Sequence, residues 1–117
     1  MDSSREELAL EVHKMAVEKG WWDNPLDQRV HRLLDWIIEE VEEAREAWDE
    51  AAKLSWFSTD SEGLLKPEGI ASELADIDLI LGDLALGLGI DLTAAGRLKL
   101  DYNHVRKYKR DKAGNPL

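Results

Sequence analysis

Residues 24–54 read NPLDQRVHRLLDWIIEEVEEAREAWDEAAKL, and this stretch decides the fold class. Asn24 and Pro25 form an N-cap and first-turn pair, because proline's fixed φ and missing N–H suit the start of a helix. Val30, Leu33, Leu34, Ile37, Val41, Ala44 and Trp48 then recur at helical spacing, so one long helix running to about Leu54 is expected. Upstream, Ser4 with Glu7 makes a capping box, Leu8, Val12, Met15 and Ala16 form one stripe, and Gly20 suits the C′ position of a helix ending near Lys19. Trp21-Trp22-Asp23 is the turn between the two. Downstream, a third helix opens at Pro67, carries Ile70, Leu74, Ile77, Ile80, Leu81, Leu84 and Leu88, and stops at Gly87 or Gly89. Asp91 caps a fourth, through Leu92, Ala95, Leu98, Tyr102 and Val105 to about Tyr108. Residues 55–66, with Trp56 and Phe57 at their start, read as a loop. The expected architecture is all-α: one domain over residues 1–117, a four-helix bundle with its core at about 4–108, a frayed tail at 109–117, and dimerisation to complete the core.

Composition narrows the function. In 117 residues there are 15 Lys+Arg against 25 Asp+Glu, a formal charge of −10, and no cysteine. Disulfides, thiolate zinc sites and cysteine nucleophiles are thereby excluded. The acidic excess argues against polymeric nucleic acid, whose affinity is built from Lys and Arg on phosphates. The longest apolar stretch, Leu79 to Ile90, is broken by Gly82 and Asp83, and residues 1–11 have no apolar targeting core, so no membrane association and a cytoplasmic location are expected.

Helical phase sorts the acids. At roughly 100° per residue, with Ile37 at zero, Glu39, Glu42 and Glu46 fall near 200, 140 and 180°, toward water. Glu40 falls near 300° and Glu43 near 240°, at the rim of the apolar stripe with Trp36 and Ala47. On the third helix, with Ile80 at zero, Glu73 lies near 20° and Asp76 near 320°, with Asp83 close to the same row and Asp78 at about 160°, toward solvent. Two helices therefore each aim a carboxylate pair at the core side. Such acids require cations, either a metal or Lys and Arg partners, because converging charges raise one another's pKa and unpaired buried charge is costly. A donor set of oxygens alone favours Mg²⁺, Mn²⁺ or Ca²⁺. A di-iron bundle would need acid-x-x-His on two helices, and only Asp101 with His104 has that spacing. His13 and His31 read as ordinary boundary or surface residues. On the fourth helix Lys99, Asn103 and Arg106 form one polar ridge, and residues 99–112 hold six Lys+Arg against two acids. That ridge is either a solvated basic edge near a helix C-terminus or a phosphate clamp.

These residues together resemble the MazG-like all-α nucleoside triphosphate pyrophosphohydrolases. The family signature pairs Glu-Glu-x-x-Glu on one helix with Glu-x-x-Asp on the next, here Glu39-Glu40-Val41-Glu42-Glu43 and Glu73-Leu74-Ala75-Asp76. The similarity extends through Lys19-Gly20-Trp21-Trp22-Asp23, Lys66-Pro67-Glu68-Gly69-Ile70, Gly89-Ile90-Asp91-Leu92 and the run Lys99, Tyr102-Asn103, Arg106. It implies a homodimeric or homotetrameric helical bundle that hydrolyses a nucleoside triphosphate between its α and β phosphates, giving a monophosphate and pyrophosphate. By position, Glu40, Glu43, Glu73 and Asp76 would ligate Mg²⁺, with Mn²⁺ as a substitute. Glu39 and Glu40 would serve catalysis, and Lys99, Asn103 and Arg106 would hold phosphate or nucleoside. Trp22 and Trp36 are the candidates for stacking on the base. Two other readings share the residues: a non-catalytic helical interaction module whose acids pair with Lys or Arg, and a related phosphohydrolase acting on another nucleotide derivative.

Overall fold

The computed structural model describes residues 4–51, 56–106 and 112–113. The chain is mostly helical, with four α-helices: α1 (Arg5–Glu18), α2 (Leu26–Ala51), α3 (Ile70–Gly87) and α4 (Leu92–Val105). A single 3₁₀ turn, Trp21–Asp23, joins α1 to α2. Ser4 accepts the backbone N–H of Glu7 on its Oγ, and Gly20 ends α1 at φ 78°, as the capping signals require. Asn24 does something else. Its side-chain amide donates to the Trp21 carbonyl and closes the 3₁₀ turn, while the first α2 backbone bond runs from Arg29 N–H to the Pro25 carbonyl. Residues 52–55 and the tail beyond Arg106, apart from 112–113, lie outside the described residues, so the expected helix ends at Leu54 and Tyr108, and the expected frayed tail at 109–117 save for those two residues, do too.

The segment expected as a loop is a hairpin. Strands β1 (Trp56–Thr59) and β2 (Leu65–Glu68) pair antiparallel, with Trp56 opposite Glu68 and Thr59 opposite Leu65. Asp60 builds the turn: its Oδ1 accepts the backbone N–H groups of Glu62 and Leu64, and Gly63 supplies φ 82°. This local side-chain bonding, together with glycine at a left-handed position, outweighs the polar composition of the segment. Pro67, expected to open α3, sits in β2 instead, and α3 starts after Gly69.

Packing is concentrated where α3 lies between α1 and α2. Among the described residues, the buried apolar ones are few: Ala16, Leu33, Ala44, Leu84 and Ala85. Helices α1 and α3 approach so closely that a Cβ on Gly82 would stand 2.7 Å from the Ala9 Cβ, and one on Gly87 would stand 1.9 Å from the Trp22 ring. Gly87→Ala is accordingly expected to displace the indole and cost about 1–3 kcal/mol, read as a lower Tm with a red-shifted tryptophan emission.

The fourth helix departs from the expected bundle. The C-terminus of α3 closes with a Schellman pattern, Ile90 N–H to the Ala85 carbonyl with Gly89 at φ 69°, and α4 then runs at 106° to α3. Every residue of α4 is exposed, Leu98 at 73% and Val105 at 82%. A Thr93 hydroxyl donating to Glu6 ties its first turn to α1. Within one chain the bundle therefore has three helices, and the radius of gyration, 17.1 Å, exceeds the ~13 Å typical of a compact chain of this length. Part of the α2 stripe is also uncovered, with Leu34, Val41 and Trp48 each more than two-fifths exposed. Among the described residues, no single helix is long and apolar enough to cross a membrane.

Candidate metal centre

The two acidic pairs meet where α2 packs on α3. Glu40, Glu73 and Asp76 each bring a carboxylate oxygen to within 4.8 Å of the other two. Residues 73 and 76 are one turn apart on α3, and Glu40 faces them from α2, so the spacing read in the sequence becomes a three-sided cluster. Among the described residues, no Lys or Arg forms an ion pair with any of the three. One oxygen each of Glu40 and Glu73 is buried with no hydrogen-bond partner.

The electrostatics follow from that arrangement. Burial pushes the Glu40 carboxyl up to about 8, helped by a hydrogen bond with Glu73 and by the charges of Glu43, Asp76 and Glu73. Asp76 is also raised, by burial and then by Glu43, against a hydrogen bond from Glu40 that acts the other way. Burial and mutual repulsion thus both favour the protonated form of this cluster. The donor set is oxygen throughout, and the three carboxylates could together hold a cation.

The other expected site residues are placed as follows. Glu43 is exposed and outside the trio, acting on it through charge alone. Glu39 is exposed but lines a cavity of about 350 Å³ that also touches Glu40 and Asp76. Trp21 and Trp36 line that cavity, and Trp22 does not. Lys99 and Arg106 flank the Tyr102 ring at 5.2 and 5.8 Å, Asn103 is exposed, and none of the three lines the cavity beside the acids. A larger groove of about 1020 Å³, between α1, the end of α3 and the start of α4, contains none of the expected site residues.

Sequence reasoning missed the best-connected residue near the trio. Asp83 is 3% exposed, and it gathers three elements. Its Oδ1 lies 2.8 Å from both His13 Nδ1 and Trp22 Nε1, and its Oδ2 accepts Arg29 at 2.9 Å. Arg29 is itself 5% exposed and lies against the rings of Trp21, Trp22 and Trp36 at 5.4 to 5.8 Å. Position 83 sits two turns beyond Asp76 on the same face, which was the available signal. Its partners come from α1, the 3₁₀ turn and α2, and no local spacing reveals them. Asp78, expected to face solvent without a role, is half-buried and receives a guanidinium fork from Arg5 that pins α1 to α3.

The chain matches no family model, no curated protein and no solved structure.

Proposed function

We propose that this protein is a Mg²⁺-dependent nucleoside triphosphate pyrophosphohydrolase of the MazG-like type, serving nucleotide pool control or house-cleaning. One observation carries the reading: three carboxylates converge from two helices, with orphaned oxygens and, among the described residues, no cationic side chain in an ion pair with them. An interaction module with Lys- or Arg-paired acids would satisfy those oxygens within the chain, so the cluster favours a metal. Glu40, Glu73 and Asp76 would hold the ion, with Glu43 adding charge at the rim. Held there, a divalent ion would supply Lewis-acid activation of water and charge neutralisation for a polyphosphate.

The chain's own residues supply the remaining steps. Glu39, exposed and lining the cavity with Glu40, would accept a proton from the attacking water. The aromatic corner of Trp21 and Trp36, with ring centroids 6.4 Å apart and planes at 81°, offers apolar surface to a base. Lys99, Asn103 and Arg106 would serve phosphate in the assembled protein, where a second copy would cover the exposed faces of α2 and α4 in a homodimer or homotetramer.

The test is pyrophosphate release from a panel of canonical, deoxy and modified triphosphates, with Mg²⁺ and with chelator. Release that depends on the metal and stops in chelator is the expected result. Silence across the panel from a folded protein that binds no Mg²⁺ would overturn the proposal.

A further inference from the structure

Three helices pack together in one chain, and beside them lies the groove of about 1020 Å³ between α1, the end of α3 and the start of α4. Its floor is apolar and low. Ala9 and Gly82 meet there, with Leu10, Ala85 and Leu86 beside them. A four-helix bundle would lay its last helix in such a groove, but α4 leaves α3 at 106°, and only its first turns, at Leu92, Thr93 and Gly96, border it.

Helix α4 is apolar on two sides. With Leu98 at zero and roughly 100° per residue, Val105 and Tyr102 fall near 340 and 40°, while Leu92, Gly96 and Leu100 fall near 120, 160 and 200°. The first of these faces is bare, each of its three residues more than half exposed. The second borders the groove. A helix with apolar residues on opposite sides is suited to being covered on both. Gly96 adds an independent sign. A Cβ on it would meet nothing within the chain, and alanine is the better helix former, so a lone chain gives no reason for glycine inside α4.

We infer that two copies of this chain exchange α4, the stripe of Leu98, Tyr102 and Val105 of each lying in the groove of the other. Gly96 then makes room where the incoming helix passes the resident one. Charge selects this occupant. The groove is lined by Glu6, Asp78 and Asp91 against Arg5, whereas residues 92–106 carry Arg97, Lys99 and Arg106 against Asp101. In a chain at −10, where copies repel one another, a basic helix meeting an acidic groove turns that repulsion into attraction. The exchange is reciprocal, so the pair closes on itself through this contact. It concerns assembly and is independent of the chemistry of the acidic trio.

The experiment measures the mass of the full chain by sedimentation equilibrium at micromolar concentration, where a dimer is expected. Leu98→Glu tests the inserting stripe and Leu10→Glu the receiving groove; both positions are exposed in one chain, at 73% and 60%, so each variant should keep its helical circular dichroism. Each should self-associate at least about a hundredfold more weakly, because the exchange would bury the new charge. Gly96→Leu, which has open space within the chain, should weaken the dimer too. An equimolar mixture of Leu98→Glu and Leu10→Glu has one intact helix and groove per pair, and should form a heterodimer where each alone is a monomer. A monomeric wild type, a dimer unaffected by either glutamate or by Gly96→Leu, or a mixture that stays monomeric would overturn the inference. Should Leu98→Glu fail to fold, Val105→Glu takes its place. Pyrophosphate release from a monomeric wild type would leave the proposed function standing without the exchange. An exchanged dimer that hydrolyses nothing would do the reverse.

Discussion

Asp83→Ala is expected to lower stability by about 3–5 kcal/mol, the usual consequence of removing one partner from a buried ion pair. The reason is the company that Asp83 keeps. Without it, Arg29 remains 5% exposed with no carboxylate, and Trp22 and His13 each lose a buried acceptor. Single domains have only ~5–15 kcal/mol in total, so the loss consumes much of it. Thermal unfolding followed by circular dichroism should show Tm falling by roughly 10–20 °C, or a chain that does not fold at all. Asp83→Asn separates charge from shape. Its amide oxygen can still receive Trp22, but its NH₂ group would face the Arg29 donor, so a smaller yet clear fall is expected. A Tm within ~2 °C of wild type for Asp83→Ala would show that the network is not what fixes Arg29 beside the cavity.

Glu40→Gln is expected to move activity and stability in opposite directions. Glu40 has a carboxyl at about 8 in the folded chain against 4.5 unfolded, so the folded state holds a proton that the unfolded state has released. Stability from this group is fully present below the unfolded value and is lost as pH rises through about 8. The metal-free protein should therefore melt at a lower temperature at pH 8 than at pH 6. Glu40→Gln should lose that slope and melt higher than wild type at pH 8, because a neutral amide replaces a carboxylate forced to ionise. Mg²⁺ should raise the wild-type Tm more at pH 8 than at pH 6, since the ion competes with the proton for the same oxygens. Glu40→Gln should abolish this metal effect. Pyrophosphate release should fall more than about a hundredfold, given that even the outer partners of metal ligands cost 10- to 100-fold. Glu73→Gln should behave alike in activity. A Glu40→Gln protein with wild-type turnover would remove this carboxylate from the machinery.

The acids and the helices were legible because both follow a local period. A spacing of three on one helix brings Glu73 and Asp76 to one edge, and the phase of Glu40 against Ile37 placed it at the rim where the structure finds it half-buried. The caps at Ser4, Gly20 and Asp91 are equally local. The hairpin at 56–68 was hidden because its signal is the Asp60 side chain bonding two backbone N–H groups, which polar composition does not distinguish from a loop. The position of α4 was hidden for a different reason. Its stripe of Leu92, Leu98, Tyr102 and Val105 states that an apolar face exists, and says nothing about whether the same chain covers it. The Asp83 network, which joins residues 13, 22, 29 and 83, depends on contacts 54 to 70 positions apart in sequence.

That network also limits the routes by which the chain can drift. Three donors from three elements share a single carboxylate, so no step at one position is neutral while the others stay. Losing Asp83 strands a guanidinium, and losing Arg29 strands a carboxylate, each a worse molecule than either end point of an exchange of both for apolar residues. Viable variants at these positions lie across a valley that single substitutions enter and only coordinated ones leave. The cavity beside the acids inherits that immobility on the side that Arg29 and Asp83 form.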